Sequence, residues 1–399
     1  GEMRIGVGEG IVRDAVAEAF NIEPEVVQRA YDMTNDFGKV AKTALEEGEE
    51  GLKKLKMEMF KPVKVMLAQK VEGMDEGYEK VANEDGVAAL EFKYDGMRAQ
   101  IHKRGDDIRV FTRRLEDVTE QFPDIVKSVK EHVDAEECIL DAEVTAYDPD
   151  TGDLIPFQKL SKRIKRKYEI QRMVKEIPVT VNVFDVFYLE GEVLLEEPMK
   201  ERWKKIQDII DSEERKLVPV NHIETSDKEE AREFYQKALN AKQEGVMLKN
   251  LEAKYKPGSR VGYMVKLKPV MENLDLVISG AEWGEGRRKD WLGSFILSCR
   301  EKETSELKTI GKMATGLTDE QFKEITERLR EKITSEEGKE VDIKPELVVE
   351  VAYEEIQKSP KYASGYALRF PRLVRFREDL SVEDIDSLSR VKQIYDSQK

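Results

Sequence analysis

The first part of the chain carries apolar residues at the spacing of amphipathic helices. The pattern runs through residues 10–20 and 23–41, and Asn35, Gly38 and Gly48 interrupt it. The sequence therefore predicts helices over residues 1 to 58. We expect these helices to be too few to close a core of their own, which indicates the C-terminal remnant of a larger helical domain.

Between residues 60 and 270 the pattern changes to short β-rich runs that alternate with helical stretches. Strands are predicted at 87–92, 108–112, 139–146, 179–187, 245–249 and 263–268, and helices at 120–132, 197–210 and 228–241. The alternation is irregular, so it favours an α+β domain built on antiparallel sheets over regular βαβ winding.

The last part of the chain is rich in predicted strands, at 274–283, 294–300 and 347–353. One helix is predicted at 319–332 and a final helix at 381–397. A small β-barrel with one helix fits this pattern, and an OB-fold is the expected architecture. The predicted fold class is α+β, with domains at 1–58, 59–270 and 271–399.

Charge changes this picture in two places. The chain has a net charge of −15, which argues against a protein that coats DNA with its whole surface. Residues 155–175 nevertheless hold eight Lys or Arg and one acid, Glu169, and residues 364–377 hold four Arg and no acid. A single basic run is usually a solvated face, but two such runs in an acidic chain indicate phosphate binding.

Other features of composition concern the source and the compartment. Charged residues make up 37% of the chain, with Lys and Glu prominent among them, which is a bias typical of thermophilic proteins. Two cysteines provide no disulfide framework, and neither a signal peptide nor a long apolar run is present, so we expect a cytoplasmic protein. Because the sequence begins with Gly1 and not Met, we expect a truncated N-terminus.

Lys93 is the candidate nucleophile. It follows an apolar strand and precedes a turn that contains Gly96, so its amine should project from a rigid strand end. A lysine amine can carry a phosphoryl group in a labile P–N bond and then pass it on. By itself, however, Lys-Tyr-Asp-Gly at residues 93–96 could be only a strand that ends in a turn.

The order of the motifs that follow removes this ambiguity. Lys-x-Asp-Gly-x-Arg at 93–98 is followed by candidate motifs at 111–119, 140–143, 184–185, 244–249, 265–269 and 368–379. Together they resemble the motifs of the covalent nucleotidyltransferases, and within them the archaeal-type ATP-dependent DNA ligases. The resemblance covers nearly the whole chain. It implies a remnant of a helical DNA-binding domain, an adenylation (nucleotidyltransferase) domain and an OB-fold domain, in that order.

The resemblance also implies roles for individual residues. Lys93 would take up AMP, and the residues that would contact the nucleotide are Glu91, Arg98, Arg113, Glu143, Phe184, Arg260, Lys266 and Lys268. Within this set, Glu91 belongs at the adenine edge, Phe184 under the adenine ring and Lys266 at the α-phosphate. Glu244 and Glu143 are the candidate Mg²⁺ ligands, because Mg²⁺ prefers one or two carboxylates together with phosphate oxygens.

Each of these residues also has a simpler interpretation. Glu91 could be an exposed strand residue, Phe184 an ordinary core residue and Glu244 a turn carboxylate. Lys266 and Lys268 share a strand face, which is unfavourable without an anion between them.

The loop at 254–260 is predicted to be mobile and basic. At position 380 the family usually has Lys and this chain has Leu380, which puts one pyrophosphate contact in doubt.

The implied reaction has three steps and needs ATP and Mg²⁺. Lys93 takes AMP from ATP, AMP passes to the 5′-phosphate of a nick in duplex DNA, and the 3′-hydroxyl then displaces AMP. We expect a monomer that works in replication and repair, with a sliding clamp as a possible partner and no membrane association. The alternatives are an mRNA capping-type guanylyltransferase and a non-catalytic module that binds DNA or a clamp.

Overall fold

The computed structural model describes residues 8–269, 272–314 and 316–398. The chain divides into two compact units, Gly1–Pro269 and Val270–Lys399. The predicted boundary between residues 270 and 271 lies outside the described residues, as do residues 1–7 of the predicted helical segment. Within the described ranges, no helix has both the length and the apolar character that crossing a membrane requires.

Three helices begin the first unit: α1 (Glu9–Phe20), α2 (Pro24–Thr34) and α3 (Phe37–Lys54). The helical pattern at 23–41 is divided between two helices, because Asn35 adopts a left-handed conformation (φ 49°) that ends α2. The three helices bury a cluster of their own that includes Val27, Val40 and Leu52. The expectation that they are too few to close a core was therefore wrong.

The described residues of the first unit form two sheets with twelve strands. They are β1 (Leu67–Val71), β2 (Ala88–Lys93), β3 (Met97–Arg104), β4 (Asp107–Thr112), β5 (Glu137–Tyr147), β6 (Leu154–Ile155), β7 (Val179–Leu189), β8 (Glu192–Val193), β9 (Leu217–Pro219), β10 (His222–Thr225), β11 (Gly245–Lys249) and β12 (Arg260–Leu267). One sheet has the order β1-β12-β11-β2-β10 and the other β4-β3-β5-β7-β8, with β6 and β9 at its side. The pairings are antiparallel except β1 with β12 and β9 with β7, which are parallel.

Six helices accompany these sheets: α4 (Met74–Val81), α5 (Pro123–His132), α6 (Phe157–Ile164), α7 (Ile170–Glu176), α8 (Met199–Ile209) and α9 (Lys228–Asn240). The predicted helices at 120–132, 197–210 and 228–241 correspond to α5, α8 and α9. Residues of both sheets and of α4, α5, α8 and α9 share one buried apolar cluster. The ends of β2, β3, β5, β7 and β11 are thus held by a common core.

The sequence pattern did not predict strand β3, because two of its inward-facing residues are polar. Gln100 exchanges hydrogen bonds with the backbone of Val63, at 2.9 Å and 3.1 Å. His102 accepts a hydrogen bond from the N–H of Phe60 at 3.0 Å, and burial lowers the pKa of His102 to about 3. These buried polar groups are satisfied by the segment that precedes β1, so they do not interrupt the strand.

The described part of the second unit is a β-barrel with two α-helices. Its strands are β13 (Leu274–Trp283), β14 (Leu292–Arg300), β15 (Leu307–Met313), β16 (Ile333–Glu337), β17 (Glu340–Ile343), β18 (Val348–Ala352), β19 (Glu355–Lys358), β20 (Tyr366–Arg369) and β21 (Arg372–Phe376). The main sheet has the order β15-β14-β13-β17-β16, and β18 joins β13 to β21. The predicted strands at 274–283, 294–300 and 347–353 correspond to β13, β14 and β18.

The helices of the second unit are α10 (Asp319–Arg330) and α11 (Leu388–Ser397). Thr318 and Gln321 form a capping box that starts α10. The predicted final helix at 381–397 begins later than expected, because the side chain of Ser387 caps α11 at the N–H of Arg390. Both helices pack on the apolar core of the barrel.

Candidate active site

Lys93 is the last residue of β2, and its amine contacts Oε2 of Glu244. The Nζ of Lys268 lies 3.1 Å from the same oxygen. The N–H of Glu244 donates to the carbonyl of Lys93 at 2.8 Å, so the pairing of β2 with β11 places this carboxylate between the two amines.

Gly245 makes this arrangement possible. Its φ is 136°, and a Cβ at this position would lie 2.1 Å from the carbonyl oxygen of Leu267. Only glycine allows the start of β11 to approach β12 this closely. The side chain of Glu244 is 16% exposed, and burial alone would raise its pKa. Lys93 and Lys268 outweigh that effect and lower the pKa of Glu244 to about 2.

Arg98, on β3, belongs to the part of the site that lies on the other sheet. Its guanidinium donates to both oxygens of Asp141, at 2.6 Å and 3.1 Å, and to the carbonyl of Met66 at 3.0 Å. The hydroxyl of Tyr255 accepts from Arg98 at 3.1 Å and donates to Asp141 at 3.2 Å. Asp141 is fully buried, and burial raises its pKa although Arg98 opposes the change. Arg98 is therefore held in one orientation by a buried carboxylate.

Glu143 is paired with Arg98 in the register of β5 and β3. It is half-buried, and burial raises its pKa to about 7, with Glu244 and Asp141 adding to the rise and Lys93 and Arg98 opposing it. Two carboxylates with different pKa values thus lie near Lys93. Glu244 is held ionised, whereas Glu143 titrates near neutral pH.

Two cations lie near the ring of Phe184. The guanidinium of Arg98 is 5.2 Å from its ring centroid and the Nζ of Lys249 is 5.1 Å from it. Lys249 also lies 2.5 Å from Oε2 of Glu91, whose side chain is only 2% exposed. Glu91 is therefore not the exposed strand residue of the simpler interpretation. It shares a face of β2 with Lys93, since the two residues are two positions apart.

The remaining predicted nucleotide contacts lie in the turn after β4 and on β12. Arg113 is exposed in the turn after β4. Arg260 starts β12 and donates to the carbonyl of Ala68 at 2.9 Å. Lys266 is half-buried on β12, opposite Met247 of β11. The loop at 254–260 is anchored by Tyr255, which is 3% exposed, so its first part is not the free basic loop that was expected.

In the second unit, arginines of the basic run at 364–377 form ion pairs with acidic side chains. Arg377 lies 2.6 Å from Asp275 and 2.8 Å from Asp379, and Arg369 lies 3.1 Å from Glu355. Leu380 packs beside an apolar cluster that contains Val277, Val348 and Ile385. The residue that replaces the family's lysine at this position is therefore partly buried against a small apolar cluster, which is separate from the core of the barrel.

Sequence reasoning missed Asp141, Tyr255 and Lys249. Asp141 had a usable signal, because an acid in the middle of the apolar strand at 139–146 must find a buried partner. Lys249 closes the motif at 244–249, two residues from Met247 and on the same strand face, but nothing in the sequence predicts its contact with Glu91. Tyr255 gave no signal at all.

Comparisons with known proteins show which family the chain resembles. Residues 65–268 match the family model "ATP dependent DNA ligase domain", and residues 288–380 match "ATP dependent DNA ligase C terminal region". A DNA ligase of Nanoarchaeum equitans is 50% identical over 406 aligned residues, covering 100% of this chain and 71% of the relative. A DNA ligase of Thermococcus fumicolans is 46% identical over 399 residues, covering 100% and 70%.

A solved structure titled Pmar-Lig_Pre has a similar fold, with a TM-score of 0.61 at 18% identity, covering 86% of this chain and 72% of that one. A structure of the Lig E DNA ligases gives a TM-score of 0.53 at 15% identity, covering 79% and 99%. The predicted α+β fold with an OB-fold barrel is confirmed.

Proposed function

This chain belongs to the ATP-dependent DNA ligases, and from that premise we propose that Lys93 captures AMP and that the neighbouring residues serve this step and its sequel. As a member of the family it is an enzyme that uses ATP to seal breaks in DNA. Both family models describe ligase domains, which decides against the guanylyltransferase and the non-catalytic module.

The observation that carries the proposal is the position of the Lys93 amine, at a strand end and in contact with Glu244. In the first step, the lone pair of Nζ forms a bond to the α-phosphorus of ATP. The bond from that phosphorus to the bridging oxygen breaks, and pyrophosphate leaves with the electron pair. Because its pKa is about 2, Glu244 is a poor base, so its role is to orient the amine while the proton passes to solvent.

Cationic side chains surround the place where charge develops in this step. Lys268 contacts the same carboxylate of Glu244 as the nucleophile, and Lys266 lies two residues earlier, on β12. Arg98 is held on the other sheet by Asp141. Groups whose positions are already set stabilise a transition state without a reorganisation cost. We assign Lys266 and Lys268 to the phosphates, Arg98 and Glu143 to the ribose end, and Phe184 to the adenine ring.

In the second and third steps AMP leaves Nζ for the 5′-phosphate of a nick, and the 3′-hydroxyl then attacks that phosphate and expels AMP. The same cations would serve all three steps, because in each step negative charge lies on the oxygens around the phosphorus that is attacked.

Mg²⁺ is the metal that we propose for the site, with Glu143 and Glu244 as its protein ligands. The described residues contain no group of three or more His, Cys, Asp or Glu that could hold a metal alone. Two carboxylates completed by phosphate oxygens are the arrangement that Mg²⁺ favours. When bound, the ion would offset negative charge on the phosphates. The raised pKa of Glu143 fits this role, since an adjacent cation would stabilise its ionised form.

This assignment predicts a pH dependence. Glu143 has a pKa of about 7, so protons compete with a metal for it as the pH falls below 7. At subsaturating Mg²⁺, the rate of AMP capture should fall up to about tenfold for each pH unit below 7, because one proton must be displaced. The rate is measured as protein–AMP formed per second between pH 5.5 and 8.5. In Glu143→Gln this contribution should disappear, so the rate should fall less steeply below pH 7 than in wild type, and a profile as steep as that of wild type would contradict the assignment.

The duplex is proposed to contact the exposed lysines of α6. The N–H of Phe157, the first residue of this helix, donates to Asp95 at 3.3 Å, so α6 begins beside the turn that follows Lys93. Its exposed basic side chains and those just after it line a surface groove, formed by Lys159, Lys162, Lys165 and Arg166 with Met173, Glu176 and Ile177. Arg163 of the same run is instead fully buried and bonded to Asp124 at 2.8 Å, so it supports the helix.

Replacing Lys159, Lys162 and Lys165 together with Ala should weaken binding to nicked duplex and reduce its salt dependence. Three lost phosphate contacts lower the slope of log affinity against log salt by about 2.7. Fluorescence anisotropy with a labelled nicked duplex at several salt concentrations measures this slope. The matched control replaces Lys204, Lys237 and Lys242, which are exposed elsewhere. Equal slopes for the two triple variants would show that α6 does not contact DNA.

Three finer properties complete the proposal: a monomer, a cytoplasmic location and a sliding clamp as partner. The two free cysteines, Cys138 and Cys299, are buried, which fits a reducing compartment. The clamp is suggested by the substrate alone, because a clamp encircles the same duplex. Sedimentation of the protein with and without a purified clamp tests the first and third properties, and a second, faster species in the protein alone would contradict the monomer.

A further inference from the structure

The surface groove between α6 and α7 combines exposed cations with apolar side chains. Its lining residues are Lys159, Lys162, Lys165, Arg166, Met173, Glu176 and Ile177. The four cations are exposed, whereas Met173 is 6% exposed and Ile177 packs against the apolar core of the first unit. The α6–α7 groove can therefore contact negative charge and apolar surface of the same ligand.

Arg163 joins the two helices that form the groove. This arginine of α6 is fully buried, and it donates to the carbonyl of Ile177, just after α7, at 2.9 Å. It also donates to Asp124 at 2.8 Å, and its guanidinium lies 4.5 Å from the ring centroid of Phe122. Because these contacts fix the helices in advance, a ligand that enters the groove has little ordering of the protein to offset.

The lysines of the groove differ from the neighbouring arginines in their partners. Arg166 lies 3.7 Å from Glu169, and Arg172 lies 2.7 Å from Glu176. Among the residues that the structure describes, no carboxylate lies within ion-pair distance of Lys159, Lys162 or Lys165. Three like charges along one groove repel each other, and a ligand with several negative charges would relieve that repulsion.

Tyr168 adds an exposed aromatic ring to this basic region. It lies in the connection from α6 to α7, and it is 81% exposed. Within the described part of the chain, no other aromatic ring stacks on it. Cations that contact phosphates, together with an aromatic ring on which a base can stack, are typical of surfaces that bind single-stranded nucleic acid.

The apolar part of the groove and the exposed ring favour an unpaired strand over a duplex. In a duplex the bases stack on one another, so a protein surface meets mainly phosphates, sugars and base edges. Met173, Ile177 and Tyr168 would then have no base face to contact. An unpaired strand presents its phosphates and the faces of its bases together.

We propose that the α6–α7 groove and Tyr168 bind unpaired nucleotides of a strand that leaves the duplex at a nick, an inference that rests on the duplex contact proposed for α6. Phosphates of this strand lie against Lys159, Lys162 and Lys165, and one base stacks on Tyr168. The N–H of Phe157 donates to Asp95 at 3.3 Å, so α6 begins beside the turn that follows Lys93. A strand that separates near the reacting ends can therefore enter the groove.

The first test measures the affinity for a labelled oligothymidylate of about eight nucleotides, which cannot pair with itself. Fluorescence anisotropy compares wild type, Tyr168→Ala, Tyr168→Phe and Leu45→Ala. The last is a matched control, because Leu45 on α3 is also a large exposed side chain, 72% exposed. Tyr168→Ala should bind at least about fivefold more weakly because stacking is lost. Tyr168→Phe and Leu45→Ala should bind like wild type.

The salt dependence of the same binding separates stacking from charge. Tyr168→Ala should keep the wild-type slope of log affinity against log salt, because tyrosine carries no charge at neutral pH. Replacing Lys159, Lys162 and Lys165 together with Ala should lower the slope by about 2.1, since each phosphate contact to a single strand contributes about 0.7.

The second test uses a nicked duplex with an unpaired oligothymidylate tail on the 3′ side of the nick, on the 5′ side, or on neither. A tail should raise the affinity of wild type, and the side that gives the gain identifies the strand that enters the groove. Tyr168→Ala should lose this gain, and Tyr168→Phe should keep it, because phenylalanine also stacks.

Several results would contradict the proposal. Equal affinities of wild type and Tyr168→Ala for oligothymidylate would show that no base stacks on Tyr168. A wild-type protein that gains nothing from either tail would show that the groove does not hold an unpaired strand. An equal loss of affinity of Tyr168→Ala for tailed and untailed nicks would assign Tyr168 to the duplex. Failure of wild type to form an adduct with ATP would instead refute the proposed role of Lys93, which does not depend on Tyr168.

Discussion

Replacing Lys93 with alanine is expected to abolish covalent capture of AMP. The amine of Lys93 is the proposed nucleophile for the P–N bond, and Glu244 and Lys268 lie beside it. Removing the nucleophile of a covalent mechanism lowers the rate by about 10⁵-fold or more. Incubation with ATP followed by intact-mass spectrometry should show the added mass of AMP in wild type and none in Lys93→Ala.

Two further variants show whether the loss is chemical. Lys93→Arg keeps a cation next to Glu244, but a guanidinium does not lose its proton, so this variant should fold and still form no adduct. Lys80→Ala removes a surface lysine that lies 2.7 Å from Glu76, and it should react like wild type. AMP attached to Lys93→Ala at another residue, located by peptide mapping, would move the nucleophile elsewhere.

Replacing Arg202 with methionine should lower the free energy of unfolding of the first unit by about 3–5 kcal/mol. Arg202 and Asp185 are almost fully buried, with side chains 2% and 6% exposed, and they are joined by hydrogen bonds of 2.7 Å and 3.1 Å. The guanidinium also donates to the carbonyl of Ala253 at 3.2 Å. Methionine would leave the buried carboxylate of Asp185 without its charged partner, although the N–H of Val186 would still donate to Oδ1 of Asp185 at 2.9 Å.

Urea unfolding followed by circular dichroism measures this loss. The control is Arg172→Met, because Arg172 is 66% exposed and lies 2.7 Å from Glu176 on the surface of α7. This exposed pair should contribute less than about 1 kcal/mol. In the double variant Asp185→Leu with Arg202→Met, part of the stability should return, since no buried charge remains. A loss below about 1 kcal/mol in Arg202→Met would show that water or a neighbouring side chain satisfies Asp185.

The position of Asp185 connects this stability to the site. Asp185 follows Phe184 on β7, and Arg202 reaches from α8 to the segment that precedes Tyr255. The same buried ion pair therefore holds two parts of the site in place. One is Phe184, and the other is Tyr255, which supports Arg98 and Asp141. We expect Arg202→Met to weaken nucleotide capture as well as folding.

Elements with a strong apolar period were predictable, even where they contain a buried acid such as Asp141, but β3 was not. The strands at 139–146 and 245–249 are apolar runs, and they correspond to β5 and β11. Strand β3 carries Gln100 and His102 inward, and their partners are backbone groups distant in the sequence, so no local pattern reveals it. The predicted helix at 381–397 failed at its start for a local reason, since Ser387 provides a cap that the pattern of apolar residues does not show.

The sequence by itself determined that Lys93 ends a strand, that it heads an ordered set of motifs, and that an α+β domain precedes a barrel. These conclusions depend on residue order and local periodicity, which are written along the chain. Only the tertiary structure decided what each charge faces: Glu244 between Lys93 and Lys268, Asp141 behind Arg98, and Lys249 beside Glu91. Ion pairs and pKa shifts depend on burial and on distances in space. Both are set when strands that are far apart in the sequence pack together.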